Sequence, residues 1–287
     1  MRIIITGSSG LLGRAVVSDF RAAGHDLLTV DRVVANSRDV PPPDIAADLT
    51  APDVLLPLLQ DADAIVHLAA HPSLESASEP KVWRDNIDTV SNALFAACAS
   101  GVRKVVYASS QSVLGLPTAP AVITPDYLPV DEAHPCRPTD GYSLSKLTGE
   151  ELAGMMCRRG DLDVRCLRFP VIWDCERHGE FVRRRLSDPE QGAKSLWAYI
   201  DARDAARATR LSIEGSWTGL DILNVTSRHI FSESTLSNLI QQWFSIAPRS
   251  AAGLEAIGTA FDWRKADLSL GFRSRYMWSR DDIADTF

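Results

Sequence analysis

The chain opens on a strand-like stretch, 2–6, with three consecutive isoleucines at its centre, and passes through four small residues into a stretch, 11–23, whose apolar positions recur at helical spacing. A buried strand followed by an amphipathic helix is what such a change of period predicts. The alternation then repeats. Further strands are expected at 25–31, 45–49, 63–70, 102–110, 163–172, 195–201 and 221–227. Helices are expected at 52–59, 79–100, 140–159, 202–214 and 232–246, the first of them short and proline-interrupted. Strands separated by helical crossovers predict an α/β fold with a doubly wound parallel sheet and helices on both faces. Over 111–139 the pattern gives way to a proline-rich loop. Loops of that length inside a compact domain usually carry function. Beyond 250 the periodicity fades. The expected division is a dinucleotide-binding domain of 1–172, which also takes in about 199–227, and a small substrate lobe of 173–198 and 228–287.

Composition narrows the function classes. A formal net charge of −7 over 287 residues provides no basic stripe for nucleic acid. No apolar run reaches the roughly 18 residues of a membrane span. The first strand starts one residue after Met1, which leaves no room for a signal peptide, so a cytoplasmic protein is expected. Five cysteines, an odd number with no C-x-x-C pair, fit reduced thiols. The six histidines show no metal-ligand spacing, and no metal is expected.

Chemistry enters with "ITGSSGLLGRA", where Gly7, Gly10 and Gly13 stand between a strand and a helix at the spacing G-x-x-G-x-x-G. Gly7 permits a sharp turn, Gly10 admits a diphosphate close to the backbone, and Gly13 lets the helix pack against the sheet. The helix start, Leu11 and Leu12 with Gly13, offers amides and a partial positive charge to phosphate oxygens, and Ser9 adds a hydroxyl. A plain strand–turn–helix accounts for three glycines equally well; the context tips the balance. Asp31 ends the second strand, where a carboxylate accepts hydrogen bonds from both adenosine ribose hydroxyls and repels a 2′-phosphate. This favours NAD over NADP, although Arg32 next to it is a guanidinium that suits that phosphate. Asp48 is a candidate for the adenine amino group, or an ordinary cap for a helix at 50–60.

A second constellation lies in "GYSLSKLTGEELA", where Tyr142 and Lys146 share one helix face at i, i+4. It follows a strand ending in Ser109 and Ser110, at the sheet edge where ligands of such folds sit. Together "TGSSGLLG", Asp31, Asp48 with Leu49, "HLAA", Asn86, "YASSQSVLG" and the Tyr142/Lys146 pair resemble the extended short-chain dehydrogenase/reductases, the NAD-dependent epimerase/dehydratase branch, through about residue 172. The "HLAAHPSLESASEPKVWRDNID" and "YASSQSVLG" segments are similar to those of compact uronate dehydrogenases.

The resemblance implies a Rossmann-type sheet, bound NAD, and Ser110, Tyr142 and Lys146 as the catalytic set. Tyr142 is then the acid–base group, and the Lys146 ammonium together with the nicotinamide charge lowers its phenol from an ordinary value near 10. The same resemblance puts Leu68, Ala69, Ala70 and Asn86 along the coenzyme and Phe169 and Val171 near the nicotinamide, with plain packing the rival account of each. Leu114 replaces the family's usual tyrosine. Gln111 and Ser112 stand where 4,6-dehydratases carry an acidic pair, which argues against dehydration. The first reading is therefore NAD-dependent oxidation of a sugar or sugar acid. The alternatives are a sugar or nucleotide-sugar epimerase that retains its coenzyme, and a dinucleotide-sensing regulator, a class that typically lacks the Tyr or the Lys. Substrate contacts are expected from His71, Ser73, Ser110, Gln111 and Arg184, the last within an Arg183–Arg185 run that pairs with a carboxylate or simply forms a solvated basic face. The resemblance also implies a homodimer built from the helices 79–100 and 140–159.

Overall fold

A computed structural model describes residues 1–32, 41–174, 186, 188–244 and 251–277. Its strands are β1 (Arg2–Thr6), β2 (Asp26–Asp31), β3 (Ile45–Ala46), β4 (Ala64–His67), β5 (Lys104–Ser110), β6 (Asp163–Phe169), β7 (Val171–Trp173), β8 (Tyr199–Asp201) and β9 (Leu220–Asn224). Seven of them form one sheet in the order β3-β2-β1-β4-β5-β6-β9, with every pairing parallel. The helices are α1 (Leu11–Ala22), α2 (Glu79–Ser100), α3 (Gly141–Arg158), α4 (Pro189–Lys194), α5 (Ala202–Glu214), α6 (Leu236–Trp243), α7 (Ala251–Ile257) and α8 (Arg264–Leu270). Among the described residues no helix is long and apolar enough to cross a membrane.

The unbroken apolar run Ile3–Ile5 follows from the central place of β1. Ile3 and Ile5 point into a core with Val16 and Phe20 of α1 and Ala205 and Ile213 of α5. Ile4 points the other way, toward Val90 and Leu94 of α2 and Ala153 and Met156 of α3. A parallel sheet covered on both faces needs apolar side chains on both. The doubly wound Rossmann-type fold is therefore present. The chain runs outward from β1 to β3 and then returns to β4 on the other side of β1, so a crevice opens at the carboxyl ends of β1 and β4.

Three elements differ from the sequence reading, each for a local reason. The third strand pairs only at Ile45 and Ala46, because the Asp48 carboxylate accepts from Thr50 N–H at 3.0 Å and turns the chain. The proline-interrupted stretch after it forms a short 3₁₀ turn, Leu56–Leu59, with Pro57 in its first turn. The long strand expected at 163–172 stops at Phe169: Pro170 has no N–H for the ladder. Beyond it β7 leaves the sheet and pairs with β8, Val171 opposite Tyr199.

That departure carries the chain to a second apolar cluster. Trp173 packs against Tyr199 and Phe231 with ring centroids 4.6 and 5.2 Å apart. Val113, Leu114 and Val130, from the start and the proline-rich part of the 111–139 stretch, join the same cluster. The stretch is thus anchored, and its Gln111, Ser112 and Thr118 line the crevice from that wall.

Candidate active site

The crevice is a cleft of about 1150 Å³ running along the carboxyl ends of β1, β2, β4, β5 and β6. At one end is the glycine loop. Gly7 has φ +71°, and a Cβ there would lie 2.6 Å from Ala69 N. A Cβ on Gly13 would collide with the Gly7 carbonyl oxygen and the Ser8 backbone. Gly10 differs: a Cβ would meet only Gly7 O, at 3.3 Å, so its outer side faces the cleft. No side chain caps α1, and the first-turn residues Leu11, Leu12 and Gly13 line the cleft. Uncapped helix amides beside a bare glycine suit a diphosphate. Ser9 N–H donates to the Asp31 carboxylate at 2.8 Å, which fixes the acid at the loop's edge. These residues fit NAD.

Arg32 turns across the cleft mouth. Its guanidinium lies 3.6 Å from Asp85 of α2 and 3.4 Å from the Nε2 of His71. Asp48 lines the cleft while closing its turn with Thr50; no helix follows directly for it to cap. Leu49, Leu68, Ala69 and Ala70 form the adjoining floor. Asn86 also lines the cleft, yet its amide is committed to structure. Its Oδ1 accepts from His71 N–H at 2.7 Å and its Nδ2 donates to Ser145 Oγ at 3.1 Å, tying the loop after β4 to α3.

At the far end stand Ser110, Gln111, Tyr142, Phe169 and Val171. Helix α3 starts with a capping box. The Asp140 carboxylate accepts from Ser143 N–H at 2.7 Å, and Ser143 Oγ accepts from Asp140 N–H at 3.3 Å. This fixes the helix start one residue before Tyr142. Ser110 Oγ accepts from Ser112 N–H at 3.1 Å and lines the same end of the cleft as Tyr142. Lys146 lies behind the wall: it is 5% exposed, its Nζ donates to Ala108 O at 2.8 Å, and it sits 5.1 Å from the Tyr107 ring and 5.9 Å from the Tyr142 ring.

Burial sets the electrostatics of both Tyr142 and Lys146 in the free chain. Burial pushes the Tyr142 phenol up, and the group that lowers it is Ser110. Lys146 itself is lowered to about 8 by burial, opposed by the Glu150 carboxylate.

Two consequences concern the supporting layer. A Cβ on Gly149 would lie 2.5 Å from the Tyr107 hydroxyl. Gly149→Ala is accordingly expected to displace Tyr107 and cost about 1–3 kcal/mol in a denaturant titration. The second consequence involves His67, which is buried at the end of β4, with Nδ1 hydrogen-bonded to Thr6 Oγ1 at 2.9 Å. Burial, aided by the Lys146 charge, lowers its imidazole from 6.5 to about 3. Between those pH values the unfolded chain binds a proton that the folded chain refuses, so this contribution to stability is full above 6.5 and shrinks on acidification. At about pH 4.5 the loss from this group is about 2–3 kcal/mol. His67→Asn should flatten that part of the stability–pH curve by a similar amount.

His71 and Ser73 line the cleft as expected, while the Arg183–Arg185 run, Arg184 included, lies outside the described residues. Pro117, Thr118, Asp140, Ile172 and Ser195 also line it and were not anticipated. The only available signal was the length of the loop holding Pro117 and Thr118.

A family model described as the NAD dependent epimerase/dehydratase family matches residues 3–188. The chain belongs to that family. The chain is similar to the L-arabinose 1-dehydrogenase (NAD(P)(+)) of Haloferax volcanii, 28% identical over 75% of this chain and 83% of the relative. A UDP-glucose 4-epimerase of Corynebacterium glutamicum is 30% identical over 52% of this chain and 44% of its own length, so the chain aligns with less than half of that enzyme. Among solved structures, MoeE5 in complex with UDP-glucuronic acid and NAD superposes with a TM-score of 0.73 at 23% identity, over 99% of this chain and 97% of that one. At that identity the likeness is one of fold. Membership in this family makes the chain an NAD-dependent enzyme of the epimerase/dehydratase type.

Proposed function

We propose that this chain binds NAD in the cleft and uses Tyr142 as the acid–base group for hydride transfer at a hydroxyl-bearing carbon of a sugar, with epimerisation of a nucleotide sugar as the net reaction. The observation that carries the reading is that Ser110 and Tyr142 line one end of the same cleft whose other end is the glycine loop and Asp31. Gly7, Ser9, Gly10 and the first residues of α1 would hold the diphosphate. Asp31 would take the adenosine ribose, and Asp48, Leu49 and Leu68–Ala70 the adenosine side. When bound, NAD supplies the carbon that accepts and returns a hydride, and a positive ring near the phenol. Tyr142 takes the proton of the substrate hydroxyl, and Ser110 orients its oxygen. Lys146 supports the wall that carries Tyr142 and would reach the nicotinamide ribose. Asp31 favours NAD over NADP, with Arg32 lying near Asp85 and His71 at the cleft mouth.

Substrate hydroxyls would meet Ser73, His71 and Gln111. Gln111 is 2% exposed and its Nε2 has no hydrogen-bond partner among the described residues. A buried donor of that kind is costly until something accepts from it. The two helices α2 and α3 would pair between subunits of a cytoplasmic homodimer; Phe95 and Leu144 are 51% and 42% exposed on them. The aromatic cluster beyond β7 would serve as the substrate lobe.

Recurring UDP-glucose 4-epimerases among the relatives favour epimerisation over the net oxidation that the sequence put first. One observation favours oxidation of a free sugar: the chain spans 83% of the Haloferax dehydrogenase. Purified protein is to be incubated with NAD or NADP and, separately, UDP-glucose and L-arabinose. UDP-galactose formed without accumulating NADH supports epimerisation. Stoichiometric NADH from L-arabinose supports the dehydrogenase. Coenzyme binding with neither product across a sugar panel leaves the sensing regulator and overturns the proposal.

A further inference from the structure

Directly beneath Tyr142 and Lys146 lies a buried charge pair that the acid–base reading does not use. Glu150 follows Lys146 by one helical turn and Tyr142 by two, on the same face of α3. It is 2% exposed and Arg168 of β6 is 3% exposed. Both carboxylate oxygens are engaged. Oε1 accepts from Ser109 Oγ at 2.5 Å and from Arg168 Nε at 2.9 Å, and Oε2 accepts from Arg168 Nη2 at 2.7 Å. Arg168 also donates to Glu132 O at 3.2 Å and to Cys136 Sγ at 3.4 Å, both in the proline-rich stretch.

The position of each partner matters. Ser109 immediately precedes Ser110, and Arg168 immediately precedes Phe169, which lines the cleft. One carboxylate therefore joins α3, the end of β5, the end of β6 and the proline-rich stretch at the level where the site residues emerge. A buried pair of this kind is a weak source of net stability, because desolvation offsets much of the attraction. Its bidentate geometry nevertheless sets orientation sharply.

We infer that Glu150 is a positioning residue: clamped by Arg168 and Ser109, it fixes the height of Tyr142 and Lys146 against Ser110 and sets a carboxylate one helical turn from Lys146. This rests on the reading that Tyr142 and Lys146 serve the acid–base step. Among the described residues, the other titratable or charged groups facing Lys146 are Tyr142 on its own helix, Tyr107 on β5 and His67 on β4. Arg168 and Cys166 of β6 face it across Glu150. Of these, Glu150 is the one that favours the ammonium.

The test follows the lysine side-chain signals by NMR in isotopically labelled protein. The chain has five lysines, and a Lys146→Met spectrum identifies the signal in question. Wild type should titrate at about 8. Glu150→Gln removes the opposing charge and leaves Arg168 alone, so the Lys146 midpoint should fall; Arg168→Met leaves Glu150 alone, so it should rise, each by about half a pH unit or more. Either single variant strands a buried charge. The double variant Glu150→Gln/Arg168→Met removes both charges, keeps a neutral core, and should lower the midpoint because Glu150 is the group whose charge favours the ammonium. It carries the test where a single variant does not fold. Single variants that shift in the same direction, or a folded double variant whose midpoint matches wild type, would overturn the inference. Full turnover in Tyr142→Phe would instead overturn the site reading and leave the Lys146 titration to stand by itself.

Discussion

Tyr142→Phe is expected to lower turnover by about 10²–10⁴-fold, the span typical of removing a positioned general acid–base group. The variant deletes one oxygen and keeps the ring, and with it the packing against Lys146 at 5.9 Å and the start of α3 fixed by the capping box. Coenzyme affinity and melting temperature should therefore stay close to wild type. Isothermal titration with NAD beside steady-state rates separates these effects. If binding fell together with the rate, the phenol would be holding the coenzyme, and the proton-transfer role would lose its support. The structure also indicates when the phenol acts. Burial holds the Tyr142 phenol above its ordinary value in the free chain, with Ser110 working against it. Additional positive charge has to arrive with the ligand, so a Tyr142 titration followed by ultraviolet absorbance should move to lower pH once NAD is bound.

Gly13→Ala should produce the second large effect, at the other end of the cleft. The added Cβ would collide with the Gly7 carbonyl oxygen and lie 2.8 Å from two backbone atoms of Ser8. These are main-chain atoms of one tight loop, with no flexible side chain to swing aside. Overpacking of this type costs about 1–3 kcal/mol or more. Relief requires moving the loop or α1, and with it the amides of Leu11 and Leu12 that would face a diphosphate. A displacement of about 1 Å at such a site is worth about 10²-fold in turnover. NAD affinity is expected to fall steeply, and the denaturant midpoint with it. Gly24→Ala is a useful comparison: a Cβ there meets nothing within 4 Å, although its φ of +80° adds some backbone strain. It should lower stability modestly and leave NAD binding intact. Equal NAD binding by the Gly13 and Gly24 variants would contradict the proposed coenzyme position.

The sequence made the sheet legible where burial was symmetric. A central strand such as Ile3–Ile5 must be apolar on both faces, and that run is visible without coordinates. Glycine spacing and the Tyr142/Lys146 interval were equally readable, because loop sterics and helical periodicity are local. What escaped was non-local. The prolines blurred two boundaries, at Leu56–Leu59 and at Pro170, where a missing N–H ended an element that side-chain pattern alone would continue. Thr118 and Ser195 reach the cleft only because the aromatic cluster around Trp173 anchors the segments bearing them, and no short sequence window contains that packing. The charge state of Lys146 was likewise invisible, since its neighbours Ala108, Tyr107 and His67 come from other elements.

The most direct measurement is the absorbance of NADH during the first turnover, with NAD-loaded protein mixed rapidly with UDP-glucose and with L-arabinose. Both an epimerase and a dehydrogenase pass a hydride to the coenzyme in that turnover. Wild type is predicted to generate NADH with at least one of the two sugars, and Tyr142→Phe to generate it at least about 10²-fold more slowly. NADH formation at the same rate in both proteins, or none from wild type with NAD bound, would contradict hydride transfer governed by Tyr142.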